Sequence, residues 1–240
     1  MTSTSLANQT IAVFGASSGI GLAVARGARA LGARVIAIGR DRARLAAVGA
    51  DTLEIAACDI ADEAQVAALL RDIGTLHHVV VTAGGVVGPS PLTALDFGAA
   101  RDAIATKLQG SLLVAKHAAP RLAPGGSIGF TTGVLGRKIT ANTVVKTVIN
   151  AGLEAAVRQL ARELAPLRVY GVSPGPVNTP NWGVLSDDAR RDRAGKLAAT
   201  LPIGFMASAE DTAQAYLFAM QARALTGTVI DLDSGAQVGG

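Results

Sequence analysis

Apolar residues arrive in two rhythms along the chain. Short β-branched runs carry the first: Ile11-Ala12-Val13-Phe14, Val35-Ile36-Ala37-Ile38 and Val79-Val80-Val81-Thr82. Later runs are Ser127-Ile128-Gly129-Phe130-Thr131, Arg168-Val169-Tyr170-Gly171-Val172 and Thr228-Val229-Ile230-Asp231-Leu232. None alternates apolar with polar, the pattern of strands covered on both faces. Between them lie Ala/Leu-rich stretches of helical character at 21–31, 62–72, 97–122, 144–164 and 209–222. Strand–helix alternation at this pitch predicts βαβ crossovers and an α/β fold, one parallel sheet with helices on both faces, as a single domain over residues 1–240. The stretch from Pro174 to about Pro202 follows neither rhythm and reads as a long substrate loop.

Composition narrows the function classes. With 50% hydrophobic and 17% charged residues, a disordered chain is excluded. The net charge is only +4 and aromatics are 3%, a poor supply for stacking bases, so no nucleic-acid partner is expected. The single cysteine, Cys58, allows neither an intrachain disulfide nor a cysteine metal site. His77 and His78 precede a strand as loop residues, and His117 has no partner at ligand spacing, so no metal is expected. The polar opening residues and the lack of a long apolar run imply a cytoplasmic protein without a membrane span. Arg190, Arg191 and Arg193 read as a solvated helix face.

The first strand runs directly into Gly15-Ala16-Ser17-Ser18-Gly19-Ile20-Gly21, which opens the first helix. Glycines there permit a tight turn and close approach of a phosphate, and the helix start offers free N–H groups. That context makes the fold Rossmann-type and doubly wound, with a dinucleotide on the turn. The second strand ends at Gly39-Arg40, with Arg42 and Arg44 close by. An arginine here accommodates a 2′-phosphate where an acid would grip a ribose hydroxyl, so NADP(H) is expected over NAD(H), with Asp41 the one opposing residue.

These features together resemble the short-chain dehydrogenase/reductase family over essentially the whole chain. Gly15, Gly19 and Gly21 resemble its cofactor turn, Cys58-Asp59-Ile60 its third-strand Asp segment, and Thr82-Ala83-Gly84-Gly85 its Asn-Asn-Ala-Gly segment. Ser173-Pro174-Gly175-Pro176-Val177-Asn178-Thr179 resembles the segment beside the nicotinamide. The resemblance implies cofactor contacts from Gly15, Ser17, Ser18, Gly19, Ile20, Gly21, Arg40, Asp59, Ile60, Ala83, Gly84, Asn150, Pro174, Gly175, Val177 and Thr179. It also implies a homodimer or homotetramer built on the two long helices and the last strand.

The family usually carries Asn, Ser, Tyr and Lys in its catalytic machinery, and this chain departs from all four. Without a gap, Lys146 falls on the Tyr position and Asn150 on the Lys position. Gly133 falls on the Ser position with Thr132 beside it, and Lys107 on the Asn position. A register using Asn142 and Lys146 requires a four-residue deletion inside a helix and is rejected. The candidate catalytic residues are therefore Lys146, Lys107, Thr132 and Asn150. An ammonium at 146 stabilises a developing alkoxide and gives it a proton; burial and the second cation at Lys107 lower an amine pKa from about 10.4, so the pair makes one of the two amines a usable acid, without saying which. Gly133, Trp182, Val184 and Leu185 are candidate walls for a small-molecule substrate. The expected activity is NADPH-dependent reduction of a carbonyl. Reduction of C=N bonds and a non-catalytic NADP-binding role are the alternatives.

Overall fold

The computed structural model describes residues 5–49, 52–85, 87–179 and 186–239. Seven parallel strands form one sheet: β1 Thr10–Phe14, β2 Arg34–Gly39, β3 Glu54–Ala57, β4 Leu76–Val81, β5 Leu122–Thr131, β6 Arg168–Pro174 and β7 Thr228–Leu232. Their spatial order is β3-β2-β1-β4-β5-β6-β7. The helices are α1 Gly19–Ala30, α2 Arg42–Gly49, α3 Glu63–Ile73, α4 Phe97–Ala103, α5 Gly110–Ala118, α6 Val144–Glu163, α7 Asp187–Ala198 and α8 Ala209–Gln221.

The unbroken apolar runs have a direct cause. Ile11, Val13, Val35, Ala37, Val80 and Val172 enter the core under α1 and α8, while Ala12, Phe14, Ile36, Ile38, Val79 and Val81 enter the core under α3 and α5. Alternate residues of one strand thus bury into opposite layers, and both layers must be apolar. Tyr170 lies fully buried in the first layer across Gly129, where an added Cβ would come within 2.6 Å of the phenol ring. Arg168 starts β6 and donates from its guanidinium to the carbonyls of Ala219, Met220 and Ala222, closing the C-terminal end of α8. A cation there meets the negative end of the helix and its unsatisfied carbonyls.

Three local expectations are revised. The helical stretch 97–122 is broken: a π-helical turn covers Ile104–Gln109 between α4 and α5, and β5 already begins at Leu122. Ser111 Oγ donates to the Lys107 carbonyl at 2.6 Å, satisfying an acceptor beside the widened turn. The loop expected from Pro174 to Pro202 contains α7, whose composition is polar all round and so left no apolar stripe to detect. Ser186 caps it, accepting from the Ala189 N–H at 3.2 Å. His77 and His78 stand within β4, not before it. His78 is buried between Ser127 Oγ at 2.7 Å and Gln9 Oε1 at 2.8 Å, and burial and the nearby Arg168 charge push its pKa down to about 3, so it stays neutral. Finally, β3 is half-exposed and carries no apolar signature of its own.

Candidate active site

In this strand order the chain passes from β3 across β1 to β4, so neighbouring strands β1 and β4 send their following loops in opposite directions. A crevice opens at that reversal, at the carboxyl ends of the strands. It is a cleft of about 760 Å³. Its first half is made by the glycine turn. Gly15 has φ +90°, and a Cβ on it would lie 2.6 Å from the Ala83 nitrogen. A Cβ on Gly21 would lie 2.4 Å from both the Gly15 carbonyl oxygen and Thr82 Oγ1. Thr82 Oγ1 donates to the Phe14 carbonyl at 3.0 Å, which ties β4 to the turn. Ser18 stands at the N-cap of α1 without a side-chain cap, so the first N–H groups of α1 are left for another acceptor.

Beyond the turn, Ile38, Cys58 and Ile60 form an apolar wall, and Arg40 and Arg44 line the rim. Burial, with the charges of Asp59 and Asp62, pushes the Cys58 thiol up to about 11. Asp41 is not part of the lining: its Oδ1 accepts from the Arg44 N–H at 3.1 Å and starts α2. Asp59 is the one expected cofactor residue outside the lining. Its Oδ1 accepts from the Ala61 N–H at 3.0 Å.

The second half of the cleft holds the two lysines. Lys107 projects from the π-helical turn, and its Nζ donates to the Thr132 carbonyl and to Asn150 Oδ1, both at 2.8 Å. Burial and the neighbouring Lys146 ammonium bring its pKa down to about 8. Lys146 and Asn150 are one turn apart on α6, with Asn150 buried and Lys146 half-buried. Both line the cleft, together with Thr132 and Gly133. Gly133 has φ +153°, and a Cβ there would stand 3.0 Å from Asn150 Nδ2. The Thr132 hydroxyl reaches the Val172 carbonyl at 3.4 Å, so its own carbonyl, and not its side chain, is what it offers to Lys107. Asn142 is exposed in the turn before α6 and does not line the cleft.

The model of the enoyl-(acyl carrier protein) reductase family matches residues 15–237. The chain is 34% identical over 251 residues to the short-chain dehydrogenase/reductase ATR9 of Stachybotrys chlorohalonatus, covering 95% of this chain and 96% of that one. This chain belongs to the short-chain dehydrogenase/reductase family. It is also 33% identical over 244 residues to a cis-4-hydroxycyclohexanecarboxylate dehydrogenase of Sinomonas cyclohexanicum, covering 95% of this chain and 96% of that one. A small-chain dehydrogenase solved in complex with NADPH shares 37% identity at TM-score 0.85, over 96% of this chain and 99% of that one.

Within this short-chain dehydrogenase/reductase, the cleft gathers nearly every residue expected of it: Gly15, Ser17, Ser18, Gly19, Ile20, Gly21, Arg40, Ile60, Ala83, Gly84, Pro174, Gly175, Val177 and Thr179. Trp182, Val184 and Leu185 lie outside the described residues. The sequence reading missed Thr106, Val134, Leu135, Pro176, Arg193 and Leu197, all in the lining. Arg193 belongs to the cluster read as solvated. It lines the cleft because α7 lies against Thr179, whose carbonyl accepts from Arg190 at 2.9 Å. A basic residue in a polar helix carries no sign of which neighbour it will face.

Proposed function

We propose that this short-chain dehydrogenase/reductase is an NADPH-dependent reductase of small or medium carbonyl compounds, with Lys146 standing where the family has its phenol. The observation that carries the reading is the continuous cleft running from the glycine turn past Arg40 and Arg44 to two ammonium groups. The turn fits a pyrophosphate, since any Cβ at Gly15 or Gly21 would fill the space against backbone and Thr82. The two guanidiniums fit a 2′-phosphate, and Asp41, held by its own helix start, does not oppose it. Bound NADPH supplies the hydride. Lys146 donates the proton to the carbonyl oxygen, and its positive charge stabilises that oxygen as charge develops. Lys107 is anchored by Thr132 and Asn150 as the second cation. Asn150 has its amide free to orient ribose hydroxyls.

The absence of a phenol or carboxylate among the described lining residues favours a second reading, reduction of an iminium, which arrives already protonated. NADPH oxidation against a mixed panel of aldehydes, ketones and cyclic imines separates the two. Lys146→Ala is expected to lower turnover of the carbonyl substrates by about 100-fold or more. Turnover almost unchanged in a folded Lys146→Ala enzyme rules Lys146 out. Turnover confined to imines replaces the first reading by the second, and none with any substrate leaves a cofactor-binding protein. No helix among the described residues is long and apolar enough to cross a membrane. The exposed apolar groove of Leu92, Phe97, Val144 and Val148 supports assembly with a second copy through α4 and α6.

A further inference from the structure

The cleft is cationic from end to end. Arg40, Arg44, Lys107, Lys146 and Arg193 line it, and no carboxylate does among the described residues. The charges divide by place. Arg40 and Arg44 belong to the β2 end, and Lys107 and Lys146 to the β5–α6 end, where Lys107 meets Thr132 and Asn150 and Lys146 stands one turn before Asn150. Neither ammonium is neutralised there. Lys107 is fixed at 2.8 Å by a backbone carbonyl and an amide oxygen, both uncharged. Lys146 makes no hydrogen bond or ion pair with a described residue, and its charge acts on Lys107.

Reduced and oxidised NADP carry identical phosphates and differ in ring charge: the dihydronicotinamide is neutral and the nicotinamide is a cation. Groups that touch the phosphates therefore serve both forms alike. Groups at the ring end discriminate, because a fixed like charge at a few ångströms in a partly dehydrated cleft is strongly unfavourable. We infer that the Lys107–Lys146 pair makes the cleft select the reduced, uncharged nicotinamide over its oxidised cation, biasing the protein toward reduction and toward release of the spent cofactor. The inference rests on the proposed NADPH site and deepens it by assigning the direction. Lys107 and Lys146 act as specificity-determining residues, independently of which of them transfers a proton.

The test needs no substrate. NADPH affinity of the full chain is measured by its fluorescence, and NADP+ affinity by competition. The expected ratio of dissociation constants, oxidised over reduced, is about tenfold or more. Lys107→Met and Lys146→Met each move that ratio toward one, and the double variant moves it furthest. Arg44→Met weakens both forms equally and leaves the ratio in place. A ratio near one in the wild type overturns the inference while leaving the cofactor site intact. So does a ratio that survives both lysine substitutions. If Lys107→Met does not fold, Lys146→Met alone decides the matter. Failure of the wild type to bind either form overturns the proposed function and the inference with it.

Discussion

The two halves of the cleft obey different constraints. Around the glycine turn, backbone touches backbone: the Cβ of any residue at Gly15 or Gly21 would meet main-chain atoms at 2.6 and 2.4 Å. Such contacts leave no room for a side chain at Gly15 or Gly21, so the backbone fixes these two positions. Around α6, side chains touch side chains, and partners can trade places. The amine expected at position 150 is carried by residue 107, and the amide expected at 107 by residue 150. The pair still meets, at 2.8 Å. An amine on the π-helical turn and an amide on α6 thus join across the cleft through side chains alone.

The comparison breaks hardest at the turn. Gly21→Ala is expected to raise the NADPH dissociation constant by about 100-fold or more and to lower stability by roughly 2–4 kcal/mol, read by fluorescence titration and thermal melting. Tight NADPH binding by that variant removes the claim that this half is fixed by its backbone. Next in size is Arg40→Ala, expected to cut the preference for NADPH over NADH by about 10- to 100-fold in kcat/KM. An unchanged preference would move the 2′-phosphate elsewhere.

Gly133→Ser sharpens the contrast from the other side. It puts a serine where the family resemblance expects one, yet its Cβ crowds Asn150 Nδ2 at 3.0 Å and requires φ near +153°. Turnover is expected to fall about tenfold, by disturbing the Lys107–Asn150 contact, and a gain in turnover contradicts the transposed arrangement. The smallest effect is on stability against pH. Lys107 has a folded pKa near 8 against an ordinary 10.5. Between those values the unfolded chain binds more protons than the native one, so stability rises as pH increases through that window. The gain is on the order of 3 kcal/mol at most, measured as denaturation midpoints against the Lys107→Met variant, which lacks it.

Sequence alone settled the sheet except for its edge strand β3, because a strand buried on both faces must be apolar at every position, and Ile11 to Phe14 and Val79 to Val81 are. It placed the glycine turn for a similar reason: glycines at a strand–helix junction answer a local steric demand. Register arithmetic placed Lys107, Lys146 and Asn150 as candidates, since a helix without gaps preserves spacing. The helix α7 escaped notice, because a polar helix has no apolar stripe, and so did the place of Arg193 at the cleft. The tertiary structure decided that Lys107 bonds Asn150, that the Thr132 hydroxyl turns toward β6, and that Asp41 serves α2. Those outcomes depend on how distant elements meet in space, with the π-helical turn aiming Lys107 across to α6, and distance in space is what a linear pattern does not record.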